Sequence, residues 1–97
     1  MKKCKTLEEV RTEVDKLDLQ LVDLLSQRSH YIRQAASFKN SIDEVKAEDR
    51  IDFIKARVRH HAISLGVNPN MISELFTLMI DEMVETEIAE FRNADTF

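Results

Sequence analysis

Ninety-seven residues with 43% hydrophobic and 33% charged side chains have the make-up of one ordinary globular domain spanning 1–97. A net charge of -4 argues against nucleic acid as the main partner, because neutralising phosphates takes a concentrated surplus of Lys and Arg. No apolar run approaches the length of a membrane span, "MKKCKTLEEV" has no apolar stretch behind its basic start, and a lone Cys4 permits no disulfide within the chain, so a cytoplasmic location and no membrane are expected.

One Gly and one Pro leave little material for turns, so few, long elements are expected, and an all-α fold of three helices follows. Thr6 with Glu9 three residues later has the spacing of a capping box and opens the first helix. Apolar residues then recur in steps of three and four at Leu7, Val10, Val14, Leu17, Leu21 and Leu24, then Tyr31, Ala35 and Phe38, which predicts helix to about Asn40. Such a rod is on the order of 50 Å long, whereas a domain of this size is only about 26 Å across. Its own chain cannot cover it. An intertwined homodimer, with the long helices of two subunits packed along each other, would cover it, and so would an extended coiled coil.

The segment "NSIDEVKAED", residues 40–49, loses the periodicity and reads as a loop or a frayed helix start. The second helix is predicted over roughly Ala47 to Leu65, with Ile51, Ile54, Val58, Ala62 and Leu65 on one face and Gly66 as its stop. Asn68 is the N-cap of the third helix and Pro69 its first residue, while Val67 and Ile72 have the spacing of a hydrophobic staple. The third helix carries Ile72, Leu75, Phe76, Met79, Ile80, Met83, Val84, Ile88 and Phe91 as its apolar stripe and ends near Asn93.

Three polar residues interrupt these stripes. Arg28 occupies the position after Leu24 where the pattern asks for an apolar side chain. A buried guanidinium needs an anionic partner, since leaving it unpaired costs about 3–5 kcal/mol. An Asp or Glu of the protein is the commoner partner. Lys39 lies eleven residues on, about three turns plus 20° along a helix and about 16 Å away, so two long side chains leaning inward would leave room for a small dianion. Glu87 continues the series Phe76, Ile80 and Met83 on the inner stripe. It either answers Arg28 in a buried salt bridge or is held protonated by apolar neighbours and donates to a ligand oxygen. Arg11 lies near the same seam but about 25 Å from Arg28 along one helix, so only the Arg11 of an antiparallel partner could join it.

Charge is uneven along the chain: residues 28–61 hold eight Lys and Arg against five Asp and Glu, and residues 73–97 hold one against seven. A local anion site is therefore compatible with an acidic protein. His30, His60 and His61 offer no helical ligand pair at four-residue spacing, so no metal is expected. Ser26, Ser29 and Ser37 have no base at a recognisable spacing, and Met71, Met79 and Met83 are most simply core.

Arg11, Arg28 and Lys39 on a long first helix, Arg50 opening the second, and a polar residue at 87 on the third resemble the all-helical chorismate mutases over about residues 7–92, including the turn "GVNPNMISELF". The resemblance implies an intertwined homodimer with two active sites, no cofactor and no covalent intermediate. It implies that Arg28 and the partner subunit's Arg11 bind the two carboxylates of a chorismate-like dianion, a geometry suited to guanidinium forks. Lys39 and Glu87 would meet the ether oxygen, and Arg50 would support a carboxylate from the loop side. Where mutases of this class usually carry glutamate, aspartate and serine, this chain has Ile51, Ala47 and Met83. The short loop from Lys39 to Arg50, Ile51 and "AASFK" are closer to the sister isochorismate-pyruvate lyases of salicylate synthesis, and Glu87 departs from the glutamine of that group. The expected function is chorismate to prephenate by Claisen rearrangement. The alternatives are the lyase reaction giving salicylate and pyruvate, an enzyme for the amino analogue of chorismate, and a non-catalytic helical dimer that binds a carboxylate metabolite or a partner helix.

Overall fold

Thr6 closes the N-terminus of the first helix by accepting the Glu9 N–H at 3.1 Å, and the Glu9 carboxylate reaches back to the Lys5 N–H at 2.7 Å. The computed structural model describes residues 1–95, and among them it shows three long helices and one short helix, with no strand. They are α1 (Leu7–Ala36), α2 (Ile42–Lys46), α3 (Glu48–Leu65) and α4 (Pro69–Asp95). Among the described residues no helix is long and apolar enough to cross a membrane.

The chain divides into two compact units, Met1–Tyr31 and the part from Ile32 onward. The first unit is in essence α1 up to Tyr31. Its stripe of Leu7, Val10, Val14, Leu17, Leu21 and Leu24 lies open, from 43% exposed at Val10 to 63% at Leu7. An isolated amphipathic helix is marginal in water, because its stability comes chiefly from packing its apolar face.

In the second unit α2 and α3 both pack on α4, and Ala36, Val45, Ala62 and Ile80 form the buried centre. Of the predicted α3 face, Ala62 is buried, Ile51, Ile54 and Val58 are half-buried, and Leu65 is exposed. Gly66 takes the left-handed conformation at φ 74°; its N–H bonds to the Ile63 carbonyl at 3.1 Å and the Val67 N–H to the Ala62 carbonyl at 2.9 Å. That pair of bonds is the Schellman closure of a helix C-terminus. Asn68 then caps α4, its side-chain oxygen accepting the N–H groups of Asn70 at 2.9 Å and Met71 at 3.4 Å.

Two expectations about the middle of the chain are corrected. The first helix stops at Ala36, four residues before Asn40. The N–H groups of Ser37, Phe38 and Lys39 bond three residues back, to Gln34, Ala35 and Ala36 at 3.2, 3.0 and 3.2 Å, which tightens the last turn. The Ser37 hydroxyl also takes the Gln34 carbonyl at 2.7 Å, competing with the backbone for that acceptor. Residues 40–49, read as a loop or a frayed helix start, instead hold a separate short helix, α2. Ser41 caps α2 by accepting the Glu44 N–H at 3.2 Å, and Val45 is buried. Ala47 then takes the left-handed conformation at φ 34° between α2 and α3, so α3 begins at Glu48.

Candidate active site

Lys39 does not continue α1, so its helical projection beside Arg28 is corrected: a turn sets its direction. Its ammonium donates to the backbone carbonyl of Glu44 at 3.2 Å, and the Glu44 carboxylate accepts the Asn40 N–H at 2.6 Å. Glu44 therefore ties the chain at three points, through its carbonyl, its carboxylate and its own N–H to Ser41. Burial of Val45 one residue later anchors the short helix that presents these groups.

Arg50 stands in the first turn of α3, exposed, with its guanidinium 5.3 Å from the centroid of the Phe53 ring. Lys39, Lys46 and Arg50 line one open groove of about 720 Å³ with Ala47 and the acidic residues Asp43, Glu44, Glu48 and Asp49. Its volume lies within the usual range for small-molecule sites, about 300–1,000 Å³. Lys39 and Arg50 thus reach one groove through a turn, a five-residue helix and a left-handed alanine, not through one helical face.

Ile51 is half-buried on α3 beside Arg50. Met83, half-buried, and Glu87, 7% exposed, stand four residues apart on α4 and so share one face of that helix. Glu87 is the buried charged residue type of the described chain, and its Oε2 is shut off from solvent. Burial makes an ionised carboxylate costly unless a donor or cation compensates it.

Arg28 and Arg11 belong to the first unit. Arg28 is half-buried with its Nη1 shielded from solvent, although the leucines around it are open. Arg11 is exposed, and at 1.5 Å per residue it lies about 25 Å from Arg28 along α1. One chain does not bring these two arginines together.

Two residues of this region escape a reading of cation spacing alone. Glu44 was signalled by the Ser41-x-x-Glu44 spacing of a capping box. Phe53 was signalled by its three-residue distance from Arg50 on a helix.

A sequence profile of the family described as chorismate mutase type II matches residues 10–88. The chain is also 26% identical over 89 residues to a protein of Pseudomonas aeruginosa named isochorismate pyruvate lyase, an alignment that covers 92% of this chain and 88% of that one.

Proposed function

The chain belongs to the chorismate mutase type II family, and from that premise we propose that it rearranges chorismate to prephenate as an intertwined homodimer. The observation that carries this reading is that Lys39 and Arg50, the cations the family resemblance picks out in this part of the chain, line one groove of small-molecule size. The reaction breaks the ether C–O bond and forms a C–C bond as electrons move around a ring within the substrate. It needs no nucleophile, no proton from the protein and no cofactor.

What the protein supplies is a folded reactive conformer and donors placed where charge grows. Arg28 and the partner's Arg11 grip the two carboxylates, and Arg50 supports one of them. Lys39 faces the ether oxygen, which becomes more negative as its bond to the ring lengthens. Glu87, protonated, shares that oxygen. Met83 and Ile51 give the ring an apolar wall.

Dimerisation follows from the first unit. Six apolar side chains exposed in helical register along α1 form a stripe that a second copy of the same helix would cover. The same pairing would carry Arg11 to the other subunit's Arg28. This predicts two sites per dimer.

A second reading, isochorismate-pyruvate lyase activity, is favoured by Ile51, which stands where mutases usually hold the substrate's ring hydroxyl with glutamate, and by the name of the Pseudomonas aeruginosa relative. Incubating the purified protein with chorismate and with isochorismate separately decides between them. Loss of chorismate absorbance with prephenate formation supports the mutase; salicylate fluorescence from isochorismate alone supports the lyase. Silence with both would leave a helical dimer that binds a carboxylate metabolite.

A further inference from the structure

Arg50 stands in the first turn of α3, exposed, on a groove that also carries Asp43, Glu44, Glu48 and Asp49. A long side chain there has many rotamers, and four carboxylates compete for it. Phe53 limits that choice. Its ring lies 5.3 Å from the Arg50 guanidinium carbon and 5.9 Å from that of Arg57. Both distances fall within the roughly 6 Å reach of a cation–π contact. Positions 50, 53 and 57 fall on one face of α3, so the ring lies within reach of both guanidiniums. Arg57 lies one turn beyond Phe53 on α3, and its like charge disfavours a close approach by Arg50. Arg50 also lines the groove, so the contact with Phe53 and access to the groove coexist.

We infer that Phe53 is a positioning residue: its ring, flanked by Arg57, holds the Arg50 guanidinium in place to receive a substrate carboxylate. The inference rests on the proposed role of Arg50 in binding a chorismate-type dianion. A delocalised, weakly hydrated guanidinium is a better partner for a ring than a strongly hydrated ammonium, which suits arginine to position 50. Phe53 itself touches no reacting atom. Its exposure of 52% makes it a surface side chain whose replacement leaves the buried centre of the unit intact.

Two measurements test this. In the free protein, the ring current of Phe53 should shift the Arg50 Nε–H proton resonance upfield, and Phe53→Leu should return it to the position of an unstacked arginine. In steady-state kinetics with whichever of chorismate or isochorismate is turned over, Phe53→Leu should raise KM about two- to fivefold with kcat unchanged. Phe53→Tyr should restore KM, and Phe53→Leu should add nothing in an Arg50→Lys background. An Arg50 resonance insensitive to Phe53→Leu would overturn the inference, as would equal losses in kcat and thermal stability that Phe53→Tyr does not rescue. Silence of the wild type with both substrates would instead overturn the proposed reaction; the resonance arm then still reads the stack, and chorismate binding followed at the same proton reads whether it serves an anion.

Discussion

Lys39 donates its ammonium to the backbone carbonyl of Glu44 at 3.2 Å, so the ammonium is positioned by its own loop before any substrate arrives. A lysine ammonium has three donors, and the bond to Glu44 leaves others for the groove. Removing a preorganised donor at an oxygen that gains charge typically costs about 10²–10³ in kcat. Lys39→Ala is therefore expected to lower kcat by about that factor. A kcat within tenfold of wild type would remove Lys39 from the reaction.

Arg28→Ala should lower kcat/KM by at least about thirtyfold, because truncating one partner of a desolvated charge pair costs about 2–5 kcal/mol. Sedimentation of the variant should still show the wild-type assembly. The opposite pattern, full turnover with a dissociated chain, would make Arg28 a structural ion-pair residue.

Arg11 lies about 25 Å from Arg28 along α1, and the proposed site therefore takes it from a second subunit. Arg11→Ala and Lys39→Ala proteins, each impaired alone, should regain activity when mixed and allowed to exchange subunits. Each heterodimer can assemble one intact site. Activity that stays at the level of the separate variants after demonstrated exchange would count against a shared site.

Glu87 is 7% exposed, and in the proposed site it would donate to the ether oxygen only while it carries a proton. The sign of the pH dependence follows: kcat/KM should fall as pH rises and the protonated fraction declines. Glu87→Gln replaces the acid with a permanent N–H donor and should flatten that limb. Superimposable profiles for the two proteins would eliminate the protonated carboxyl.

Ala47 holds φ 34°, a left-handed conformation that costs an L-residue with a Cβ roughly 1–2 kcal/mol. Ala47→Gly should therefore raise unfolding free energy by about 0.5–1 kcal/mol, the smaller figure reflecting glycine's greater freedom in the unfolded chain. Urea unfolding at fixed protein concentration measures it. A lower midpoint at unchanged slope would mean that the alanine methyl group stabilises the junction by packing.

Helices whose ends are set by neighbours in the chain were legible from the residues alone. Thr6, Gly66 and Asn68 close hydrogen bonds within a few residues of themselves, so their types and spacings already specify where α1 and α4 begin and α3 stops. Periodicity likewise placed Glu87 on the inner stripe of α4 and left the stripe of α1 in need of a cover. Residues 37–47 were a different matter. Ser37 diverts a carbonyl, Glu44 ties three groups together, Val45 goes under against the α4 layer, and Ala47 accepts a strained backbone. No repeat announces these, because burying Val45 and satisfying its loop compensate for the left-handed alanine only once α4 is present. Caps could therefore be read in the linear order of residues, whereas the turn and short helix that direct Lys39 to the groove it shares with Arg50 depend also on packing of α2 against α4, far along the chain.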